Sequence, residues 1–289
     1  MAIEVSGPNA EQIKYWNEQA GPKWVAQQAF LDDQIRPLGL RAIAAAELST
    51  GERVLDVGCG CGDTTLELAR KVGPSGTVTG IDISSPMLAQ ARKAAQVAGL
   101  SNVHFENADA QSASLPTARH DVLYSRFGVM FFENPSKAFT NLRASLKPRA
   151  RLAFVCWRTL AENPWMFIPV MAAAQHIPMP PPPGPDAPGP GSFADPSRVR
   201  RILSEAGFTE VSLAELNQTL TIGGRSDLKQ TVEFLLQMGP TGNAIRDAGA
   251  DAGVLEKIKA SVLEALRPYQ TPDGVRMGSA AWIVTARSS

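Results

Sequence analysis

The 289-residue chain carries 28 basic and 28 acidic side chains, so its formal net charge is zero at neutral pH. That balance, with no long run of Lys or Arg, argues against a broad electrostatic nucleic-acid footprint. At 44% hydrophobic and 19% charged, the composition is that of a globular chain long enough to bury a full core.

No apolar run reaches the roughly 18 residues needed to span a bilayer, and the first residues, MAIEVSGPNAEQ, lack a basic-then-apolar signal pattern. Three cysteines give no disulfide framework. The expectation is a chain without a membrane span in a reducing, cytoplasmic setting. Three histidines argue against a His-rich metal site.

Residues 9–48 are predicted helical, broken at Gly21-Pro22. From Arg53 to Trp157, short apolar runs alternate with helical ones: RVLDVG (53–58), GTVTGID (76–82), NVHFEN (102–107), HDVLYSR (120–126) and ARLAFVCW (150–157). Continuous apolar runs suit strands buried on both faces. Ser84-Ser85-Pro86 opens a helix that closes on Gly99, and Asn134-Pro135 opens another over SKAFTNLRASLKP. Such alternation predicts an α/β protein with a mostly parallel sheet covered on both sides.

The Pro/Gly-rich segment 178–192 fits no regular element; it reads as an exposed linker or as a loop crossing the mouth of a site. After a helix capped by Asp195-Pro196 comes a strand, FTEVSLAEL. Residues 225–268 read as two helices, and GSAAWIVTAR (278–287) as a last strand.

The most informative stretch is VLDVGCGCGDTT, Val54 to Thr65. A buried strand ends in Asp56, glycines follow at 58, 60 and 62, and a helix begins near Asp63. Glycine lets a ligand approach the backbone, and the helix N-terminus offers unpaired N–H groups. Asp63 stands where a dinucleotide fingerprint wants its third glycine, and Asp56 is an awkward neighbour for a pyrophosphate. Asp82 ends a second strand, twenty residues after Gly62, where an acid binds the hydroxyls of a ribose. These features call for an adenosine with an amino-acid tail.

The ordered motifs LDVGCGCGD, GIDIS, ENADA and HDVLYSRFGVMFF resemble the class I S-adenosylmethionine-dependent methyltransferases, and in particular the small-molecule group that includes the ubiquinone/menaquinone-type enzymes. The resemblance covers roughly residues 40–157. It implies a doubly wound, Rossmann-like, seven-stranded sheet with its last strand antiparallel, N-terminal helices and helical lid insertions. The implied cofactor is S-adenosylmethionine. Asp56, Gly58, Cys59, Gly60 and Gly62 would line its methionine half. Asp82 would hold the ribose hydroxyls, Ile83 and Met87 would pack on adenine, and Asp109 and Ala110 would contact the adenine edge. Ser125 and Arg126 would lie near the methionine portion. Each assignment has a plainer rival: Asp82 as a helix cap, Asp109 as a turn residue, Asp56 satisfied by loop N–H groups, Met87 as core.

Cys59 and Cys61 lack the four-ligand pattern of structural zinc, so no metal is expected. No G-x-S-x-G elbow, P-loop or H-E-x-x-H is present. Tyr15 and His176 are the only weak candidates for a base. Trp24, Phe127, Met130 and Trp165 are candidate acceptor contacts within a wider set of aromatics (Tyr15, Trp16, Phe131, Phe132, Trp157, Phe167). That set either walls a dry pocket or seals helices onto the sheet.

The expected organisation is one domain. It comprises an N-terminal lid (1–48), a cofactor core (49–157), a Pro-rich insertion (158–195) and a C-terminal sheet part (196–289) with a cap at 225–276. The expected activity is in-line methyl transfer to a small apolar or aromatic acceptor by a monomer or homodimer. A nicotinamide-dependent oxidoreductase and a non-catalytic cofactor-binding scaffold are the alternatives.

Overall fold

The structure, a computed structural model, describes residue 5 and residues 7–179, 184 and 186–289. Three helices come first: α1 (Ala10–Glu18), α2 (Ala20–Ala26) and α3 (Gln28–Ala45). The alternating part follows as β1 (Arg53–Val57), α4 (Asp63–Val72), β2 (Thr77–Asp82), α5 (Ser85–Val97), β3 (Val103–Asn107), β4 (His120–Arg126), α6 (Pro135–Ala144) and β5 (Leu146–Trp157). Then come α7 (Pro164–Ala173), α8 (Pro196–Glu205) and β6 (Phe208–Ile222). The chain closes with α9 (Leu228–Gln237), α10 (Gly239–Asp247), α11 (Ala252–Leu266), β7 (Gln270–Thr271) and β8 (Gly274–Ser288).

The strands form one sheet in the order β3-β2-β1-β4-β5-β8-β6, with two-residue β7 beside β8 as an eighth member. Pairs among β1 to β5 are parallel, and β8 runs antiparallel to both β5 and β6. Val54, Leu55, Val78, Ile81, Val122 and Leu123 are buried as two-faced coverage requires. Strand order reverses between β1 and β4, and a crevice beyond the carboxyl ends there is the ligand position for such sheets.

Two caps work as the sequence suggests: Asn134 accepts from Lys137 N–H, and Asp195 from Ser197 N–H. Several expectations need correction. The helical break is not at Gly21-Pro22 but at Gln19 and Gln27. Pro22 sits in the first turn of α2, where no N–H is required. Gly21 answers a close approach, since a Cβ there would lie 2.1 Å from the Trp16 carbonyl oxygen. Residues 225–268 hold three helices, because the Gly- and Pro-bearing stretch 239–247 folds as α10. β6 continues to Ile222 as an edge strand whose outer residues are polar, so no apolar run marked its second half.

Of segment 178–192, residues 180–183 and 185 lie outside the described residues. The described remainder is no free linker. Gly189 N–H and the Ser192 hydroxyl both donate to the Met130 carbonyl, at 2.9 and 2.7 Å.

Candidate active site

The loop after β1 is shaped by its glycines. Gly58 and Gly60 have φ of +68° and +55°, and Gly62, at +87°, caps α4. A Cβ on Gly58 would lie 2.6 Å from Gly128 Cα, so the turn after β4 presses directly on the loop. Gly58 N–H donates to the Ile81 carbonyl and Gly60 N–H to Asp82 Oδ2, both short, so β2 fixes the loop from the other side.

Asp82 uses one lone-pair direction on each oxygen internally, toward Gly60 N–H and Ser84 N–H, each at 2.8 Å. A carboxylate offers about four such directions, so acceptor capacity remains for a ligand. Burial raises its pKa, with backbone donors from Ser84, Gly60 and Ile83 opposing. The N-cap of α5 is Ser84, whose hydroxyl donates instead to the Trp16 carbonyl at 2.8 Å.

Asp109 is the turn residue that its plainer description expects, accepting from Gln111 N–H and the Ser112 hydroxyl, each at 2.9 Å, and it also lines the cavity. Asn9, buried at the start of α1, donates its amide to Asp109 at 2.9 Å and accepts from Glu133 N–H. Asn17 binds the Ile83 carbonyl and Ser85 N–H in the same manner. The N-terminal helices are thereby stitched to the ends of β2, β3 and β4. Neither asparagine carries a signal in the sequence.

Asp56 differs from both anticipated readings. It is fully buried and is not among the cavity residues. Its Oδ2 accepts from the Thr64 and Thr65 hydroxyls at 2.9 and 2.7 Å rather than from loop N–H groups. Its Oδ1 has no partner among the described residues. Burial pushes its carboxyl up to about 6, against the two hydroxyls and Arg126.

Arg126 lines the cavity, but its guanidinium is committed to Asp63 at 2.7 Å and Asp32 at 3.1 Å; Asp63 also pairs with Arg36. Burial works to strip its proton, yet the two carboxylates outweigh it and its pKa is raised. Ser125 is turned away from the cavity, donating to the Val57 carbonyl at 2.7 Å. Cys59 and Cys61 line the cavity as free thiols; burial pushes Cys61 up to about 12 and Cys59 well above its ordinary range. Among the described residues no group of three or more His, Cys, Asp or Glu is placed to hold a metal.

The resulting cavity, about 120 Å³, is lined by Gly58, Cys59, Gly60, Asp82 and Asp109 from the sheet's strand ends and loops and by Trp16, Trp24 and Ile35 from the N-terminal helices. Ile83, Met87 and Ala110 line it as well, whereas Gly62 does not. A second cavity of about 110 Å³ adjoins it, and the two share Trp24, Ile35, Phe127 and Phe131. Met130, Trp157, Trp165, Leu235 and Met238 make the second one almost wholly apolar. Phe127 stands at the junction with φ +63°, an outlier for a bulky residue, its ring stacked on Trp157 at 4.1 Å.

Tyr15 and His176 line neither cavity. The Tyr15 hydroxyl donates to Asn243 at 3.3 Å, joining α1 to α10, and His176 contacts the Ser261 hydroxyl at 2.7 Å. Phe167 faces outward, 37% exposed.

A family model described as a methyltransferase domain matches residues 48–207, more than half of the chain. The chain belongs to that methyltransferase family. It is 37% identical to aklanonic acid methyltransferase DauC of Streptomyces sp. (strain C5) over 118 residues, which are 41% of this chain and 54% of that protein. To nocamycin O-methyltransferase of Saccharothrix syringae it is 29% identical over 200 residues, covering 65% and 69%. The match thus spans about half the length of DauC and more of the second relative. Among solved structures, the YcgJ protein of Bacillus subtilis aligns with a TM-score of 0.54 at 19% identity, covering 87% of this chain and 97% of that one. The [4+2]-cyclase SpnF aligns at 0.51 and 22%, covering 87% and 80%. Those two likenesses establish the shared Rossmann-like fold.

The family's methyl donor is S-adenosylmethionine, and the residues present fit it. Asp82 has acceptor capacity left for a diol, and Asp109 has one lone-pair direction left. Gly58 and Gly60 line the cavity with backbone alone, which lets a ligand approach closely there. The orphaned Asp56 Oδ1 adds buried negative charge beneath it, suited to an ammonium.

Proposed function

We propose that the protein is an S-adenosylmethionine-dependent methyltransferase acting on a small, apolar acceptor rather than on nucleic acid. The reading rests on one observation above the rest: a cavity edged by the carboxylates at the ends of β2 and β3 shares a wall with an apolar cavity.

In this reading Asp82 binds the ribose hydroxyls, Asp109 with Ala110 meets the adenine edge, and Ile83 and Met87 pack on its faces. The loop from Gly58 to Gly62 receives the amino-acid tail, with Asp56 acting through its charge from below. When bound, the cofactor supplies a methyl group on a positively charged sulfur. The chain contributes binding, alignment and dryness. Holding two reactants in line supplies about 7–11 kcal/mol of barrier lowering without any acid or base. Phe127, Trp24 and Phe131, shared by both cavities, set where an acceptor stops. The described residues within 1–48, 158–195 and 225–276 act together as a roof over one domain, tied by Tyr15 to Asn243 and by Gln34 to Gly223. The names of the two curated relatives, one acting on aklanonic acid and one an O-methyltransferase, support a small-molecule acceptor.

The test is calorimetry with S-adenosylhomocysteine and with NADH, followed by incubation of the protein with methyl-labelled cofactor and a metabolite extract. Binding of the first ligand and a labelled small product are expected. NADH binding alone would restore the oxidoreductase reading, and cofactor binding without any labelled product would favour a scaffold.

A further inference from the structure

The second cavity contains an unmet hydrogen-bonding requirement. Trp165, 9% exposed, lines it, and its indole N–H is buried with no acceptor among the described residues. Gln34, 1% exposed, also lines it. Its Oε1 accepts from Gly223 N–H at 3.2 Å, which leaves the amide nitrogen as the half without a partner. Thr241, from α10, adds a hydroxyl to the same lining. A buried donor left unpaired is costly, and in native proteins it commonly marks a place where something else supplies the acceptor. Here one orphaned buried N–H, the amide nitrogen of Gln34 and one hydroxyl sit in walls otherwise made of Leu, Ile, Met, Phe, Trp, Pro and Gly.

The second feature is what the lining does not contain. Among the described residues that form it, none is Asp, Glu, His, Lys, Arg, Tyr or Cys. The charged pair closest in the wall sequence, Asp32 and Arg126, belongs to the first cavity and is paired internally at 3.1 Å. Neutral donors can hold an oxygen anion, but nothing in this lining can remove a proton from a hydroxyl. Water cannot substitute freely in a chamber so apolar.

Given the reading of this cavity as the acceptor site, on which the inference rests, we propose that the acceptor is a flat, apolar enol-acid. It bears one oxygen that ionises in water before binding and a second oxygen that accepts hydrogen bonds. Trp165 Nε1 and Gln34 Nε2 hold these oxygens, and the hydrocarbon faces lie against Phe127, Trp157 and Met238. On transfer, the enolate oxygen forms the new O–CH3 bond with its own electron pair. The S–CH3 bond breaks with its pair remaining on sulfur, and the acceptor's proton has already gone to solvent. Atoms and charge balance with no protein base.

Two isomeric hydroxycoumarins and a bare bicyclic hydrocarbon separate these properties: 4-hydroxycoumarin is an acidic enol, 7-hydroxycoumarin a weakly acidic phenol, and naphthalene, slightly smaller, has no oxygen. Calorimetry on the protein saturated with S-adenosylhomocysteine should rank 4-hydroxycoumarin tightest and naphthalene weakest. Trp165→Phe and Gln34→Leu should each raise the dissociation constant for 4-hydroxycoumarin by about three- to tenfold while leaving that for S-adenosylhomocysteine unchanged. With labelled S-adenosylmethionine, methyl transfer to 4-hydroxycoumarin should exceed that to 7-hydroxycoumarin. The inference is overturned if naphthalene binds as tightly as 4-hydroxycoumarin, if both variants bind it unchanged, or if the weakly acidic isomer is the better acceptor. Failure of S-adenosylhomocysteine itself to bind would instead overturn the methyltransferase reading.

Discussion

Replacing Asp82 with alanine tests the cofactor reading at its most exposed point. In the free protein the carboxylate accepts from Gly60 N–H and Ser84 N–H at 2.8 Å each and lines the cavity with acceptor capacity to spare. Truncation therefore acts twice. It unpairs the loop amide of Gly60, which costs about 1–3 kcal/mol if that group stays dry, and it removes a buried carboxylate whose ionised form burial disfavours. These effects oppose one another, so the melting temperature of the free protein should change little. Affinity for S-adenosylhomocysteine should fall more, because a ribose diol donates to the charged acceptor through one or two charge-assisted bonds. A net loss of about 1–3 kcal/mol is a 5- to 150-fold rise in dissociation constant. The assay is calorimetry on wild type and variant with S-adenosylhomocysteine and its 2′-deoxy analogue. The deoxy analogue should bind the wild type several-fold more weakly and the two ligands should bind the variant alike, since a shared contact makes the losses non-additive. A folded Asp82→Ala protein that binds S-adenosylhomocysteine as the wild type does would refute the ribose assignment.

Arg126→Met should lower stability by about 3–5 kcal/mol, because Asp32 and Asp63 would keep buried charges without their shared partner. Scanning calorimetry should show the midpoint down by about 5–15 °C, and an unchanged midpoint would mean the pairs contribute nothing. Asp56 binds its proton more tightly in the folded protein, about 6 against 3.8, so its contribution to stability declines as pH rises between those values and stays lowered above them. Urea midpoints of Asp56→Asn and wild type at pH 4, 6 and 8 should differ increasingly in the variant's favour, approaching about 3 kcal/mol, and a constant difference would contradict a raised pKa.

Much of the cofactor side was legible in the sequence because its signals are local. An apolar run ending in Asp, then glycines at alternate positions, specifies a strand, a left-handed turn and a helix start within a dozen residues. The roof was not legible for the opposite reason. Asn9 reaches Asp109, Asn17 reaches Ile83, and Gln34 reaches Gly223, a separation of 189 residues in the last case. A polar residue on a helix looks the same in sequence whether it faces water or a buried partner. The helix over 239–247 was hidden by its own glycines and proline, which packing against α7 and α9 overrides. Thr64 and Thr65 follow the loop immediately, and their position facing the end of β1 was the one signal available for the partners of Asp56.

The two cavities draw on different parts of the chain. The glycine loop and the strand-end acids lie within 48–207, the stretch common to the family. Most of the second chamber does not: Trp24, Leu31, Gln34 and Ile35 precede that stretch, and Phe234 through Thr241 follow it. Change in the later segment can reshape the second chamber while the first stays untouched, whereas change before residue 48 alters both, because Asn9, Trp16, Trp24 and Ile35 line the first. Exchange confined to Phe234, Leu235 and residues 238–241 is thus the change that reaches the second chamber without reaching the first.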